Sequence, residues 1–383
     1  MISLKKIDII WNISLVCPWD CQFCCTDAVH VKQIGDSISM REFGLTHQRN
    51  LVAHEIDYDE PALKRLKALG VKPNAFDIAL RDRQKRGLEL TYEQKIKVLN
   101  NLLPLSAEID FAGGDPLACY ENFLVIQEAK EIFGRENISI TSTGATLSRY
   151  SLTEIASIIG KFEFTFDEPI DKKPVNRPLG YNNANLRVAR QLSALNLKTK
   201  AQTPLHNGNL DPSRISLLYN ALHEAEIDEL LLMRVFPVGR GSQNYNNDMQ
   251  RSDYLEAISH FRDLEKKLIY PKVRLQCALK HLENMDYAEN PCDLMRHSFG
   301  INPRGNLLIS AWATNSRGEP LDDAFILGNI SETSLESLLR EEKAKDYFAK
   351  LDLNWGHCKI FSFVFSSSKA ASSLFERGDP LYI

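Results

Sequence analysis

The feature that most constrains the fold is an alternation of strand candidates with helix candidates over the first 237 residues. The predicted strands are 7–16, 108–112, 138–142, 162–166, 198–203 and 229–235. The predicted helices between them include 90–103, 152–159, 182–195 and 212–225. Strands that alternate with helices favour parallel pairing with right-handed crossovers. The pattern therefore predicts an α/β fold on a six-stranded parallel sheet.

A group of cysteines directly follows the first predicted strand. Residues 17–24 read CPWDCQFC, which places Cys17, Cys21 and Cys24 in a Cys-x3-Cys-x2-Cys run. Three thiolates this close on a loop are typical of a metal site, and three protein ligands leave one iron of a cluster open to a small molecule. A structural zinc site, or a loop that merely contains thiols, is the alternative.

This spacing resembles the cluster loop of the radical S-adenosylmethionine (radical SAM) enzymes, which hold a [4Fe-4S] cluster on a CxxxCxΦC motif. Phe23 fills the Φ position. The resemblance implies a partial (β/α)6 TIM-like barrel whose active site lies at the C-terminal ends of the strands. It also implies S-adenosylmethionine (SAM) as a cofactor, cleaved by an electron from the cluster to methionine and a 5'-deoxyadenosyl radical.

A second resemblance lies behind the second predicted strand, where residues 113–116 read GGDP. The family's GGEP motif binds the amino group of SAM, and here an aspartate replaces the commoner glutamate. Matches further along the barrel add STG at 142–144, TFDEP at 165–169 and an arginine expected to pair with the SAM carboxylate. The SAM contacts so implied are Phe23, Gly113, Gly114, Asp115, Ser142, Thr165 and Arg177. The alternatives are an ordinary turn, strand propensity and a surface charge.

The region after the barrel resembles the SPASM or Twitch extension, a small α+β unit that carries auxiliary iron-sulfur clusters in the family. The thiols available there for one auxiliary cluster are Cys277, Cys292 and Cys358. Three thiols are one short of a saturated cluster, because Ser310 stands where the family has a cysteine. The candidates for a fourth ligand are His297, His357, Ser310 and bound substrate. The alternative is an extension that kept the fold and lost the metal.

The resemblance and the composition together predict three regions. Residues 1–237 form the barrel, with a charged helical insertion at about 26–88 whose helical patches are 60–69 and 75–86. Residues 238–275 form a helical linker around a helix at 252–268. Residues 276–383 form the SPASM/Twitch-like region.

Composition excludes several classes of protein. The net charge is -4, from 46 Lys and Arg against 50 Asp and Glu, so no basic field favours a nucleic-acid partner. No uninterrupted apolar run approaches the roughly 20 residues of a membrane span. Eight cysteines in 383 residues are too few for a disulfide scaffold, and their grouping favours metal ligation in a reducing compartment. We therefore expect a cytoplasmic protein.

The function implied by the resemblance is hydrogen abstraction by the deoxyadenosyl radical. The predicted substrate is a ribosomally synthesised precursor peptide that is cross-linked, epimerised or oxidised, with a flavodoxin or ferredoxin-type protein as reductant. One alternative is a radical SAM dehydrogenase or epimerase that acts on a small molecule. An alternative of a different class is a non-catalytic iron-sulfur or zinc protein.

Overall fold

The computed structural model describes residues 6–43, 47–52, 56, 60–103, 105–168, 177–243, 249–283, 292–366 and 373–382. The strands are β1 (Ile7–Ser14), β2 (Val16–Cys17), β3 (Val29–Ile34), β4 (Ser37–Glu42), β5 (His47–Val52), β6 (Ala107–Gly113), β7 (Ile138–Ser142), β8 (Lys161–Thr165), β9 (Lys198–Leu205), β10 (Glu229–Arg234), β11 (Lys272–Leu275), β12 (Ser298–Ile301), β13 (Asn306–Leu308) and β14 (Ile326–Asn329). The helices are α1 (Pro61–Ala68), α2 (Ala75–Lys85), α3 (Tyr92–Leu102), α4 (Tyr120–Phe133), α5 (Leu152–Ile158), α6 (Tyr181–Ser193), α7 (Pro212–Glu224), α8 (Arg251–Leu268), α9 (Cys277–Glu283), α10 (Leu335–Leu339), α11 (Glu342–Lys350), α12 (Lys359–Val364) and α13 (Ser373–Glu376).

Ten strands form the main sheet, in the order β11-β10-β9-β8-β7-β6-β1-β12-β13-β14. All pairs from β11 to β12 are parallel, and β13 and β14 continue the sheet with antiparallel pairing. The predicted α/β fold on a parallel sheet is confirmed, and this sheet is compatible with a partial barrel. The six predicted strands are β1 and β6 to β10. Sequence reasoning missed β11 and β12, which are only four residues long each.

The strands have two different faces. Ile109, Phe111, Ile140, Phe162 and Phe164 belong to the hydrophobic core, together with residues of the surrounding helices. The alternate residues of the same strands line a cavity in the middle of the sheet's concave side. The core therefore lies between the sheet and its helices, and the other face of the strands is available for a ligand.

Helix α3 shows how local sequence signals position these elements. The Thr91 hydroxyl accepts a hydrogen bond from the Gln94 N–H at 3.4 Å, and the Gln94 side chain accepts one from the Thr91 N–H at 2.9 Å. This capping box makes Thr91 the N-cap of the helix that was predicted at 90–103. The helix then delivers the chain to β6.

The insertion differs from its prediction as a helical segment. Its helices α1 and α2 match the two helical patches, but they follow a second sheet in the order β2-β3-β4-β5. Its strands alternate charged residues with buried ones, such as Val31, Ile38 and Met40. The many charges led us to expect solvated helix faces, whereas they occupy the outer face of strands with period two.

The predicted linker is also more than a helix. Helix α8 lies where it was predicted, but β11 then joins the main sheet by pairing in parallel with β10. The following region adds β12 beside β1, and β12 and β13 form a hairpin. The extension thus continues the sheet of the barrel. Within the described ranges, no helix is both long and apolar enough to cross a membrane.

Candidate active site

The cysteine loop begins at the C-terminal end of β1 and returns through the second sheet. Cys17 is the last residue of β2 and pairs with His30 of β3. Cys17, Cys21 and Cys24 all line one cavity of about 410 Å³, which extends from the C-terminal ends of the parallel strands along their polar faces. The structure therefore brings the three predicted ligands together on one wall.

Each of these sulfur atoms has a donor beside it. The Trp19 N–H approaches Cys17 Sγ at 3.4 Å, the Ala28 N–H donates to Cys24 Sγ at 3.2 Å, and Arg177 Nε donates to Cys21 Sγ at 3.3 Å. Burial raises the pKa of the Cys21 thiol, and the Arg177 guanidinium partly offsets that rise. Such donors favour the thiolate, which is the form that binds a metal.

The three thiols are not arranged around a single ion. Among the described residues, no group of three His, Cys, Asp or Glu side chains is close enough to hold one metal ion. The ligands of a four-iron cluster bind different irons and lie farther apart than the ligands of one zinc ion. The described residues thus show three thiols on one cavity wall and no preformed site for a single ion.

Arg240 and Gly239, which follow β10, contact the backbone of the cysteine loop and stabilise it. The buried Arg240 side chain donates to the carbonyl oxygens of Cys21 at 2.9 Å and Ala28 at 3.1 Å, and its N–H donates to Cys24 O at 2.9 Å. A Cβ on Gly239 would lie 2.4 Å from Cys25 O. Sequence reasoning missed these two residues, because their partners are more than 200 residues away.

The two glycines of the GGDP turn pack against the chain that leads into the cysteine loop. The Gly114 N–H donates to Ser14 O at 2.7 Å, and a Cβ on Gly114 would lie 2.3 Å from Val16 O. A Cβ on Gly113 would lie equally close to Ser14 O. Both glycines line the cavity, so the turn brings bare backbone next to the cysteines.

Asp115 has a different position from the one its predicted role requires. Its side chain is fully buried and accepts hydrogen bonds from the Leu117 N–H at 3.0 Å, from Ser142 Oγ at 3.0 Å and from the Thr143 hydroxyl. It is not among the residues that line the cavity, whereas Ser142 and Thr143 are. Asp115 therefore stabilises the turn from the side that faces away from the cavity. The groups that donate hydrogen bonds to its carboxylate belong to the protein itself.

Arg177 lies in the cavity wall beside Cys21, as a SAM contact would require. Its guanidinium pairs with Asp167 and lies over the rings of Phe23, at 5.4 Å, and Tyr181, at 5.3 Å. Phe23 and Thr165 line the same cavity. Of the predicted TFDEP turn, Pro169 lies outside the described residues. The structure thus places every predicted SAM contact except Asp115 on the cavity.

Sequence reasoning missed the polar lining of the barrel interior. The side chains concerned are Asp110, Ser139, Thr141, Glu163, Lys200 and Gln202, which line the cavity from strands β6 to β9. Parallel strands covered on both faces normally read as continuous apolar runs. A polar residue at every second position, as in KFEFT at 161–165, was the available signal. It marks strands with one face toward a ligand cavity.

The structure also brings the three C-terminal thiols together. Cys277 begins α9, Cys358 precedes α12, and Cys292 lies before β12. Burial raises the pKa of Cys277 well above its usual range, and the neighbouring Cys358 and Cys292 add to that rise. Burial likewise raises the pKa of Cys358 to about 12, with Asp379 and Cys292 contributing. The three thiols thus lie within electrostatic reach of one another.

The proposed fourth ligands for this C-terminal group differ in position. His297 is exposed, and Ser310 Oγ lies 3.4 Å from the Trp312 N–H. His357 Nδ1 accepts a hydrogen bond from the Asp379 N–H at 2.9 Å. His281 was missed by sequence reasoning; it lies one turn after Cys277 on α9, and its ring packs against His357. Its buried Nδ1 has no hydrogen-bond partner within the described part of the chain.

The fold matches solved structures over most of the chain. Streptococcus suis SuiB bound to precursor peptide SuiA aligns with 90% of this chain and 67% of its own, at 13% identity and a TM-score of 0.56. SuiB bound to S-adenosylmethionine aligns with 88% of this chain and 64% of its own, at 10% identity and a TM-score of 0.57. Native anSMEcpe with bound AdoMet aligns with 89% of this chain and 82% of its own, at 15% identity and a TM-score of 0.55.

These likenesses are of fold, since the identities are low. No protein-family model matches the chain, and no curated protein matches it significantly. The chain spans about two thirds of the length of SuiB. The fold is the one that SuiB and anSMEcpe share. The fold that the motif resemblance implies is thus the fold of these solved structures.

Proposed function

We propose that the protein is a radical SAM enzyme that modifies a peptide. The observation that carries this proposal is the common cavity onto which Cys17, Cys21, Cys24, Arg177 and the glycine turn all open. A non-catalytic electron carrier or a structural zinc site needs no such cavity beside its thiols. A [4Fe-4S] cluster bound there would supply the electron that cleaves SAM to methionine and a 5'-deoxyadenosyl radical.

The chain's own residues would bind and orient the cofactor. Cys17, Cys21 and Cys24 hold the cluster, and the missing fourth thiol leaves one position for the methionine end of SAM. Arg177 offers a planar cation, suited to a carboxylate, directly beside Cys21. The ammonium group, which we first assigned to Asp115, is better placed against the cavity-facing backbone of Gly113 and Gly114.

The peptide substrate is proposed from the solved neighbours. One SuiB structure contains the precursor peptide SuiA, and this chain shares the fold of that protein. We infer a ribosomally synthesised peptide for this chain as well, with a flavodoxin or ferredoxin-type protein as reductant. The modification is a cross-link, an epimerisation or an oxidation, each of which begins with abstraction of a hydrogen atom.

The C-terminal thiols are proposed to hold one auxiliary cluster. Cys277, Cys292 and Cys358 supply three ligands, and His281 or His357 lies at hand for the fourth position. A [4Fe-4S] centre bound there would accept an electron. Buried Arg234 and Lys359 lie close to Cys358 and would offset the negative charge of thiolate ligands.

Anaerobic reconstitution with iron and sulfide tests the proposed function. The reconstituted protein, reduced with dithionite, should show the electron paramagnetic resonance of a reduced [4Fe-4S] cluster that changes when SAM is added. It should also convert SAM to 5'-deoxyadenosine, measured by chromatography. A protein that takes up iron but neither alters its signal with SAM nor forms deoxyadenosine would refute the proposal.

A further inference from the structure

The interior of the barrel has a charge pattern that the chemistry of SAM cleavage does not require. TIM-type barrels usually fill their interior with layers of branched apolar side chains. Here the inward positions of β6 to β9 carry acids, lysines, hydroxyls and an amide around an open cavity. Keeping such groups in a protein interior is costly unless each has a partner.

Glu163 is fully partnered within this interior. Its side chain is 3% exposed and pairs with Lys200 at 2.6 Å and Lys161 at 3.5 Å. It also accepts a hydrogen bond from Gln202 Nε2 at 2.8 Å. The two interior lysines are thus both engaged by the same carboxylate.

Asp110 lies on the neighbouring wall and is partnered by hydroxyls alone. Its carboxylate accepts hydrogen bonds from Ser139 Oγ at 3.1 Å and from Thr141 Oγ1 at 2.9 Å. No lysine, arginine or histidine nitrogen of the described residues lies within 4.0 Å of it. Its accessible surface faces the cavity. Burial and the charge of Glu163 raise the pKa of Asp110 to about 7, so ionised Asp110 is poorly stabilised by its surroundings.

Most of the other carboxyl groups that line the cavity have a cationic partner, unlike Asp110. Besides Asp110 and Glu163, the lining includes Asp8, Glu108 and Asp293. Glu108 pairs with Lys6, and Asp293 pairs with Lys280 at 3.1 Å. Asp8 and Asp110 are the two lining carboxylates of this end that have no salt bridge in the described part of the chain. Burial and a hydrogen bond to Glu108 raise the pKa of Asp8, so Asp110 is the acid at this end whose described hydrogen-bond partners are hydroxyl groups.

We propose that Asp110 binds a cationic nitrogen of the substrate, an ammonium or guanidinium group. The Asp110 carboxylate accepts from that group, and the side chains of Thr141 and Gln202 flank it. This inference rests on the proposed function, since it takes the barrel interior as the place of the substrate. It narrows the substrate to a peptide segment with a lysine-type or arginine-type side chain near the reacting position.

The test uses probes that differ only in charge. The reconstituted holoenzyme with SAM is titrated calorimetrically with the N-acetyl methylamides of lysine and arginine, and with those of the neutral isosteres norleucine and citrulline. The cationic member of at least one pair should bind about tenfold more tightly or better, as expected for hydrogen bonds to an ionised group. The pair that shows the preference identifies the group as an ammonium or a guanidinium.

Two variants test whether the Asp110 carboxylate causes the preference for the cationic probe. Asp110→Asn keeps the shape of the carboxylate and one acceptor oxygen but removes its charge, so the two members of a pair should bind equally well. Leu231→Lys, from the half-buried cavity wall of β10, keeps every acid but adds an internal cation, and it should also abolish the preference. Asp346→Asn, at an exposed site of α11, is the matched control and should leave it intact.

The outcomes separate this inference from the proposed function. Equal binding of charged and neutral probes by wild-type protein, or a preference that survives Asp110→Asn, would overturn the inference. Deoxyadenosine formation is measured on the same preparations without any probe. Intact SAM cleavage without a charge preference rejects the cation site alone. A charge preference without SAM cleavage rejects the radical SAM function and supports the cation site.

Discussion

The two groups of three cysteines differ in what surrounds them. Cys17, Cys21 and Cys24 line an open cavity, and their loop is held by hydrogen bonds from Arg240 and by close backbone contacts. Cys277, Cys292 and Cys358 do not line that cavity. They lie in an enclosed region with the buried Arg234–Asp379 ion pair and the buried Lys359. The first group has room for a small molecule beside it, and the second is suited to a closed site.

The largest expected effect separates the two groups by activity. Replacing Cys17, Cys21 and Cys24 together with alanine should abolish SAM cleavage, because Cys25 would then be the only thiol left among the described residues that line the cavity. The matched triple variant of Cys277, Cys292 and Cys358 should still cleave SAM. Deoxyadenosine formation under dithionite, measured on both reconstituted proteins, checks this prediction.

Iron content also distinguishes the two groups of three cysteines. If the C-terminal group holds a [4Fe-4S] cluster, the barrel triple variant should retain about four irons per chain. A barrel variant that binds no iron, with all three C-terminal thiols alkylated readily in the native protein, would show that the auxiliary site does not exist. The extension would then serve only as a wall of the substrate cavity.

Gly114→Ala tests how closely the barrel loop depends on bare backbone. The added Cβ would lie 2.3 Å from Val16 O and 2.5 Å from Leu15 O, and backbone atoms can give way only if the strand moves. We expect a loss of about 3 kcal/mol or more in the free energy of unfolding, together with lower iron uptake. Gly70→Ala is the control; it has positive φ but open space, and it should cost only about 1 kcal/mol. Equal urea midpoints for the two variants would contradict the close approach.

Arg240→Met removes the cation that holds the cysteine loop. Arg240 lies near Asp20 at 3.6 Å and Asp27 at 3.8 Å, and its side chain is almost fully buried. Losing it removes the side-chain donor to the carbonyl oxygens of Cys21 and Ala28 and a buried cation close to Asp20 and Asp27, which we expect to cost about 3 kcal/mol. Arg340→Met, at an exposed helix pair, should change stability by less than about 0.5 kcal/mol. Thermal unfolding of both variants checks the difference.

Arg177→Lys should affect the cofactor more than the fold. Lysine keeps the charge near Asp167 but loses the planar group that lies against Phe23 and donates to Cys21. We expect SAM binding to weaken by about 1.5 to 3 kcal/mol, measured by calorimetry, with iron content unchanged. Arg274→Lys, on an exposed part of β11, is the control. Unaltered SAM affinity in Arg177→Lys would reject this residue as a cofactor contact.

The sequence predicted those features that depend on interactions between residues close together in the chain. The main strands and α3 depend on neighbouring residues, and a pattern of neighbours predicted them. The cysteine spacing is local too, and it predicted the shared wall. The support from Arg240 and the meeting of Cys277 with Cys358 depend on residues far apart in the chain. No pattern in the sequence indicated the support from Arg240, and only the resemblance to the SPASM or Twitch extension grouped Cys277 with Cys358.

The Asp115 assignment shows a different limit. The motif located the turn correctly, but a shorter aspartate in place of glutamate reaches Ser142 and Thr143 behind the turn. The motif predicted the position of Asp115 in the chain, and it did not predict which groups the Asp115 carboxylate contacts. The polar barrel interior was missed although its period-two pattern is present in the sequence, because that pattern was interpreted only as a sign of strands.

The smallest expected effect compares one substitution at two acids, Asp110 and Asp379. Asp110 faces the cavity without a cation, whereas the fully buried Asp379 pairs with Arg234. The raised pKa of Asp110, about 7 in the folded protein against about 3.9 unfolded, means that the folded state binds its proton more tightly than the unfolded chain. Wild-type stability therefore falls as the pH rises towards and through about 7, while Asp110→Asn lacks this dependence. Between pH 6 and pH 8, Asp110→Asn should gain about 1 kcal/mol relative to wild type. Asp379→Asn should instead lose stability at both values, because it leaves Arg234 buried without its anion. Urea unfolding of the three proteins at pH 6 and pH 8 measures both effects, and a pH-independent difference between Asp110→Asn and wild type would show that the barrel carboxylate is already stabilised without a ligand.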